Sequence, residues 1–371
     1  MFTESATRRT LRRAVRVIDS FAAPHGVDRY LEQLVPTWSS TEVRGRVTAV
    51  DRSAAGSTIL TIEPNGNWTG FRAGQYTQLS VEIDGVRHTR CYSMSSSATD
   101  TRSFRLGIKA HPEGLVSQYL LAHATEGMVV GLTPAAGEFH LPDTRPERVL
   151  LISGGSGITP VMSMLQTLCA ERHAGPITFL HYATTPAAML FRDDVAAIEL
   201  AHDNVTVVTA FDQEPAAGHL TGFLDESHLD AADPQWRDAD VFVCGPAPLM
   251  DSVRRHYDEA DAAGRFHQEA FTLPMFVGEA DAVGGSVRFG VSDVVVESDG
   301  SSILEQAEAA GLTPNSGCRM GICHTCTRSL TCGTVRDAVT GELTTGPQSK
   351  DSAVEIRVCV SVPVGDVEID L

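Results

Sequence analysis

Gly317-Cys318-Arg319-Met320-Gly321-Ile322-Cys323-His324-Thr325-Cys326 (GCRMGICHTC) fixes the reading of the C-terminal part of the chain, and Cys359 follows after 32 further residues. Three cysteines at x4 and x2 spacing, with a distant fourth, match the spacing of a [2Fe–2S] site. Two irons bridged by two sulfides need four thiolates: three come from one tight loop and the fourth from a separate strand. Gly317 and Gly321 let the backbone curl around such a group. The loop amides can then hydrogen-bond its sulfurs. Four cysteines would also suit tetrahedral zinc, but zinc ribbons use two short pairs. Cys318, Cys323, Cys326 and Cys359 are the expected metal ligands. Cys332 lies outside the pattern and is read as a small buried residue.

Five of the eight cysteines fall in the last 54 of 371 residues. Such clustering in a large chain without a signal segment indicates a metal or redox site rather than a disulfide framework. The length predicts two or three domains at roughly 100–200 residues each. Hydrophobic residues make up 42% and charged residues 20%, a globular composition. No apolar run approaches the ~18 residues of a spanning helix. Arg8, Arg9, Arg12, Arg13 and Arg16 lead into no continuous apolar stretch, because Asp19 and His25 interrupt it. A secretory signal is therefore not expected. The expected location is cytoplasmic, with association to the inner face of the membrane as the alternative. The net charge of -18 argues against nucleic acid as a partner.

Outward from the cysteine loop, residues 286–371 open with a hairpin pattern and a helix over 302–310. Residues 276–285 carry glycines and read as a linker. Residues 147–275 alternate strands (149–152, 177–181, 240–244) with helices (160–172, 247–258). That alternation predicts an α/β domain with a parallel sheet. Residues 41–143 contain short alternating strands (42–50, 58–62, 75–83, 104–108), with Asp84-Gly85 as a hairpin signal. They predict a small antiparallel β-barrel. Residues 1–40 read as a helical extension. The expected fold is thus multidomain: a β-barrel, a parallel α/β domain and a small α+β domain.

Arg90-Cys91-Tyr92-Ser93-Met94-Ser95-Ser96 resembles the R-x-Y-S-x-S-S pattern of the ferredoxin–NADP reductase superfamily. The cysteine loop is similar to that of plant-type ferredoxins. The resemblance implies that FAD sits on the barrel. Arg90 would pair with its diphosphate bidentately, Tyr92 would offer an aromatic face, and Ser93 would orient the edge of the flavin that reacts. Phe71-Arg72-Ala73-Gly74-Gln75-Tyr76 resembles the preceding strand. Gly114-Leu115-Val116-Ser117-Gln118 resembles the diphosphate turn, in the form of the FAD branch rather than the FMN branch. There Val116, Ser117 and Gln118 would meet phosphate at a helix N-terminus. Lys109 is counted among the cofactor-binding residues.

Gly154-Gly155-Ser156-Gly157-Ile158-Thr159-Pro160 follows an apolar strand and opens a helix. Glycines there let the backbone approach a pyrophosphate. The stretch resembles the superfamily's nicotinamide-dinucleotide turn, with Gly155, Gly157, Thr159 and Pro160 as binding residues. Cys244-Gly245-Pro246 resembles its second motif, with Cys244 beside the reacting nicotinamide carbon. Glu269 and Phe271 resemble the residues at the flavin–nicotinamide meeting point. Ser93, Cys244 and Glu269 are the expected catalytic set. Thr184 and Thr185 could hydrogen-bond a 2′-phosphate, with Arg192 nearby, but Asp212 would repel one, so NADPH and NADH both stay open.

The resemblance covers about residues 41–371 and implies an electron-transfer reductase. A hydride from NAD(P)H would reach FAD, and electrons would pass singly through a [2Fe–2S] cluster to an acceptor protein. Asp28-Arg29-Tyr30-Leu31, Pro36-x-Trp38 and Gly45-Arg46-Val47 resemble reductases that serve membrane acyl desaturases and related diiron or haem hydroxylases and oxygenases. An NADH-dependent reductase of an aromatic-ring dioxygenase shares all these motifs. A redox-sensing module without turnover is the reading outside enzymes. The arginine-rich N-terminus is expected to pack on the flavin domain, with peripheral membrane contact as the alternative.

Overall fold

The computed structural model describes residues 28, 31–271, 284–317, 319, 321, 324–347 and 353–371. The chain divides into two compact units, Met1–Glu269 and Ala270–Leu371. The first unit holds two sheets. Its antiparallel sheet comprises β1 (Val43–Asp51), β2 (Ser57–Pro64), β3 (Tyr76–Ile83), β4 (Val86–Ser93), β5 (Phe104–Lys109) and β6 (Val129–Leu132), in the order β4-β3-β6-β1-β2-β5. Met94, just past β4, bridges to Leu106 of β5. The two ends of the sheet therefore meet and the sheet curls into a barrel. Asp84 (φ 51°) and Gly85 (φ 78°) are both left-handed, the geometry a two-residue hairpin turn needs. Val47, Leu60, Leu79, Phe104 and Ile108 are buried in its core. Helix α1 (Leu115–His123) packs against β2, β4 and β5.

Residues 31–42 are tied to this barrel. Asp28 accepts hydrogen bonds from Trp38 Nε1 (2.9 Å), Ser40 N (2.8 Å) and Ser40 Oγ (2.7 Å). The Asn67 amide donates to the Ser39 and Glu42 carbonyls, each at 2.8 Å. Of the expected helical extension over 1–40, residues 1–27, 29 and 30 lie outside the described residues.

The second sheet is parallel: β7 (Val149–Gly154), β8 (Ile177–Ala183), β9 (Val205–Phe211), β10 (Asp240–Cys244) and β11 (Phe266–Glu269), in the order β11-β10-β7-β8-β9. Helices α2 (Ile158–Ala170), α3 (Arg192–Ala201), α4 (Glu226–Ala232) and α5 (Ala247–Glu259) connect them. The chain runs outward from β7 to β9, then returns to place β10 on the other side of β7. The strand order reverses between β7 and β10, and ligands of open α/β sheets bind at such a crevice. Helix α2 is buried on nearly every residue, because it lies between its own sheet and the barrel. Ser163 Oγ donates to Ser96 O at 2.7 Å, and Ala98 N donates to Thr167 Oγ1 at 2.9 Å.

The second unit is a mixed sheet: β12 (Ser286–Phe289), β13 (Val294–Glu297), β14 (Thr327–Asp337), β15 (Leu343–Thr345), β16 (Val354–Arg357) and β17 (Ser361–Ile369). The order is β13-β12-β17-β14-β15, with β16 on β14, and β12 runs parallel to β17. Helix α6 (Ile303–Ala309) opens with a reciprocal cap between Ser302 and Glu305. It buries Ile303 and Leu304 against Phe289, Val358 and Ile369. Most of the expected linker over 276–285 lies outside the described residues. Among the described residues no helix is long and apolar enough to cross a membrane.

Candidate functional site

The barrel half of the site starts on β4. Ser93, Tyr92 and Arg90 pair with Tyr76, Thr77 and Leu79 of β3. Arg90 and Tyr92, two apart, share one face of the strand. Arg90 Nη1 donates to Thr89 O at 2.8 Å. Burial pushes the Tyr92 phenol up, so it stays neutral, and Ser93 is buried. Beside this strand, α1 opens at Gly114. Ser117 Oγ accepts from His111 N (3.1 Å) and donates to Gly114 O (3.0 Å), and Gln118 Nε2 donates to His111 O (2.9 Å). These two side chains brace the turn, and the Val116 side chain is in the core. What the turn offers an anion is the first-turn backbone N–H groups of residues 115–117, which helix geometry leaves unpaired. Ser117, Gln118 and Val116 thus stand at the opening of α1 with their side chains engaged in the turn and the core.

The nucleotide half sits at the strand ends flanking the crevice. A Cβ on Gly157 would lie 2.1 Å from Cys244 O; one on Gly154 would lie 2.8 Å from the Pro246 ring; one on Gly245 would lie 2.9 Å from Gly154 N. The two glycine motifs therefore interlock backbone to backbone, and side chains there would pry β7 from β10. Thr159 Oγ1 donates to Ser156 O at 3.1 Å, closing the turn, and Pro160 is buried behind it. Cys244 and Glu269 are direct neighbours in the β10–β11 register. Burial, with the Glu269 charge beside it, pushes the Cys244 thiol well up. Burial pushes the Glu269 carboxyl up to about 8. Its Oε2 is buried without a hydrogen-bond partner among the described residues.

A cavity of about 370 Å³ opens from this crevice, lined by Lys109, Gly155, Tyr182, Thr184, Asp212, Phe223 and Pro246, among others. Lys109 Nζ stands 4.0 Å from where a Gly155 Cβ would be. The structure thus brings Lys109, the glycine turn, Thr184 and Asp212 together. It does not bring Thr185: its hydroxyl accepts from Ala188 N at 3.2 Å and caps a short turn. Arg192 pairs with Asp193 (3.2 Å) and lines a different cavity. Phe223, 89% exposed, was not foreseen. Its only sequence signal is the turn glycine beside it, Gly222, at φ 91°. Phe271, two residues past β11, falls with the second unit.

In the second unit Cys326 and Cys359 are buried, while Cys318 and Cys323 lie outside the described residues. Gly321 N donates to Cys359 Sγ at 3.2 Å, an amide-to-sulfur bond of the kind that stabilises thiolate. Arg319, Gly321 and His324 all hold left-handed φ between 57° and 72°, so the backbone turns sharply at each of these three positions. Arg357 Nη1 donates to Gly321 O, and its Nη2 to Asp337 at 2.9 Å. Arg319 pairs with Glu308 of α6. Cys332, expected to be buried, is exposed. The β14–β17 register slips on both sides of it, and that irregularity turns its side chain outward.

The residues fit the expected groups on three observations. A sharply turning backbone presents its amide to a buried thiol. An orphaned carboxyl oxygen waits at the crevice. The glycine turn leaves open space at Gly155, whose Cβ would have only Lys109 Nζ within 4.0 Å. Family models match in the same order: an oxidoreductase FAD-binding domain over residues 56–141, an oxidoreductase NAD-binding domain over 151–255, and a 2Fe-2S iron-sulfur cluster binding domain over 290–364. The chain is 34% identical over 349 residues to an NADPH oxidoreductase of Mycobacterium tuberculosis, covering 93% of this chain and 88% of that one. It is 31% identical over 326 residues to a glycine betaine monooxygenase reductase subunit of Pseudomonas aeruginosa, covering 81% and 87%. The solved structure of phthalate dioxygenase reductase shares the fold, with a TM-score of 0.61 at 23% identity over 88% of this chain and 97% of that one. Fold and site define an NAD(P)H-dependent oxidoreductase that uses FAD and a [2Fe–2S] cluster. The chain belongs to the ferredoxin–NADP reductase family, among the reductases with a C-terminal ferredoxin domain.

Proposed function

We propose that the chain takes a hydride from NAD(P)H at the β7/β10 crevice and hands single electrons to a separate oxygenase. The observation that carries this reading is the Cys244–Glu269 pair, a buried thiol beside a half-buried carboxyl with one orphaned buried oxygen, at the strand ends beside the glycine turn. When bound, FAD supplies the conversion of a two-electron hydride into single electrons, which the cluster relays. Arg90 and the α1 amides bind the flavin diphosphate, Tyr92 covers a ring face, and Ser93 orients its reacting edge. Gly155, Gly157, Thr159, Pro160, Gly245 and Pro246 shape the nucleotide seat, and Lys109 and Thr184 bind its polar groups. The Glu269 carboxyl, protonated near neutrality, donates a hydrogen bond to the nicotinamide, and the neutral Cys244 thiol packs beside it. Cys318, Cys323, Cys326 and Cys359 hold the cluster.

Asp212 lines the cavity with Thr184. A carboxylate there accepts from a ribose 2′-hydroxyl and repels a 2′-phosphate. This favours NADH over NADPH, although the mycobacterial relative is named for NADPH. Steady-state assays should give a kcat/KM for NADH at least about tenfold above NADPH, a discrimination of about 1.4 kcal/mol. Asp212→Ser should narrow that gap, and a wild-type preference for NADPH would remove the reading.

For the acceptor we favour a membrane fatty-acyl desaturase or a related diiron or haem hydroxylase, on the N-terminal resemblance. An aromatic-ring dioxygenase is the second reading, favoured by the NADH preference that Asp212 implies. The test is reconstitution of the purified reductase with each acceptor type, scoring NAD(P)H-dependent product. Product with the ring dioxygenase alone would replace the first reading with the second. For the membrane question, residues 1–20 are deleted and co-sedimentation with anionic liposomes is compared with the full chain. Loss of binding on deletion would support peripheral contact.

A further inference from the structure

Strand β5 of the barrel has two faces. Phe104, Leu106 and Ile108 are buried in the barrel core. Arg105, Gly107 and Lys109 alternate with them and point the other way, toward the parallel-sheet half of the same unit. Arg105 Nη2 pairs with Asp194 Oδ2 at 2.8 Å, and its guanidinium lies 4.9 Å over the Phe191 ring. A Cβ on Gly107 would stand 2.8 Å from Phe191 Cζ and 2.9 Å from Thr159 Cγ2. Glycine is needed at 107 for space, so that the ring can lie on bare backbone. Phe191 is 4% exposed and holds φ 58°, a left-handed conformation that is unusual for a bulky residue and survives only where its surroundings enforce it. Ala55 N also donates across to Ala187 O at 2.8 Å. Residues 186–194 are thus clamped to the barrel, and Thr159, one helical step past the nucleotide turn, rests in the same seam.

We propose that Gly107 and Phe191 are positioning residues. The ring, seated on β5 and held by Arg105 and Asp194, fixes the turn Gly155–Gly157 at the separation from the flavin strand that hydride transfer demands. The inference rests on the hydride-transfer reading above and adds what sets its geometry. Reacting atoms must come within about 3–3.5 Å, and a misplacement of about 1 Å can cost about a hundredfold in rate.

The experiment uses FAD-loaded full-length protein. It measures the limiting rate of anaerobic flavin reduction at saturating NADH, the Kd of a non-reducing nucleotide analogue, FAD content, and amide hydrogen exchange over residues 186–194. Gly107→Val drives a side chain into the ring. It should lower the limiting rate at least about tenfold and speed exchange over 186–194, with FAD content near wild type and a much smaller change in Kd than in rate. Phe191→Ala in that background removes the ring contact while leaving the Thr159 methyl 2.9 Å from the new Cβ, and should restore part of the rate. Phe191→Ala alone only removes atoms; it should slow reduction severalfold at unchanged Kd, and it carries the test if Gly107→Val does not fold. Wild-type rates in either single variant overturn the proposal. So does a joint loss of rate and affinity that the double variant does not repair, which marks the seam as structural only. Wild-type flavin reduction tests the hydride reading itself, separately from the seam.

Discussion

Glu269 concentrates the chemistry of the first unit in one carboxyl. It ends β11 beside Cys244, and burial holds its pKa at about 8. The sign of the consequence follows directly. Between the ordinary value of 4.5 and about 8, the folded state keeps a proton that the unfolded state has lost. Stability therefore falls as pH rises through that window and levels off above it. Glu269→Gln cannot ionise. Thermal unfolding of ligand-free protein should show wild type losing several degrees relative to this variant from pH 6 to 8, and no more beyond. Flavin reduction should follow the same group: the wild-type rate declines as pH passes about 8, Glu269→Gln is flat, and Glu269→Ala is slow throughout. A flat wild-type profile would remove the protonated carboxyl from the mechanism. The sequence made this residue legible by type and place, through its motif neighbours. Its missing hydrogen-bond partner was not legible, because partners are fixed by packing across strands. Cys332 shows the same limit. Its exposure comes from a register slip between β14 and β17, which no local pattern announces.

At the scale of elements, the cysteine loop depends on its backbone as much as on its thiols. Gly321 holds φ 72°, and a Cβ there would lie 2.9 Å from Val360 Cγ2, while its amide reaches Cys359 Sγ. Gly321→Ala should therefore strain the loop by about 1–2 kcal/mol and weaken that amide bond. The expected outcome is lower iron and sulfide content per chain and faster loss of the visible cluster bands on warming, with flavin content unchanged. Retention of full cluster stability would deny the loop this role. The iron–sulfur domain was readable because three thiolates from one tight loop must follow a fixed short count along the chain. The shape of α2 was not. A helix covered on two sides has no polar face, so its periodicity says nothing about the barrel that covers it. The strands were readable in kind and ran longer than expected at several ends: β7 extends to Gly154 and β8 to Ala183. Pairing with neighbours, rather than local alternation, sets where a strand stops.

The order of the three modules was readable across the whole molecule, because each carries its own motif and the motifs come in sequence. The acceptor is a different matter, since recognition belongs to surfaces and only their charge shows in a composition. From residue 281 onward the chain carries thirteen acidic residues against six basic ones, a net charge of -7. A body so charged is steered toward a basic partner over about a Debye length, roughly 8 Å at physiological salt. The expected outcome is a second-order rate for electron delivery to a protein acceptor that falls at least about tenfold between low and high salt. The rate for a small neutral quinone, which needs no steering, should hardly change over the same range, so the comparison separates docking from internal electron transfer. If both rates fall together, salt is acting inside the reductase. If neither falls, the acidic surface does not guide the encounter, and apolar contact around exposed residues such as Val291 and Val295 becomes the better account of how the acceptor is held.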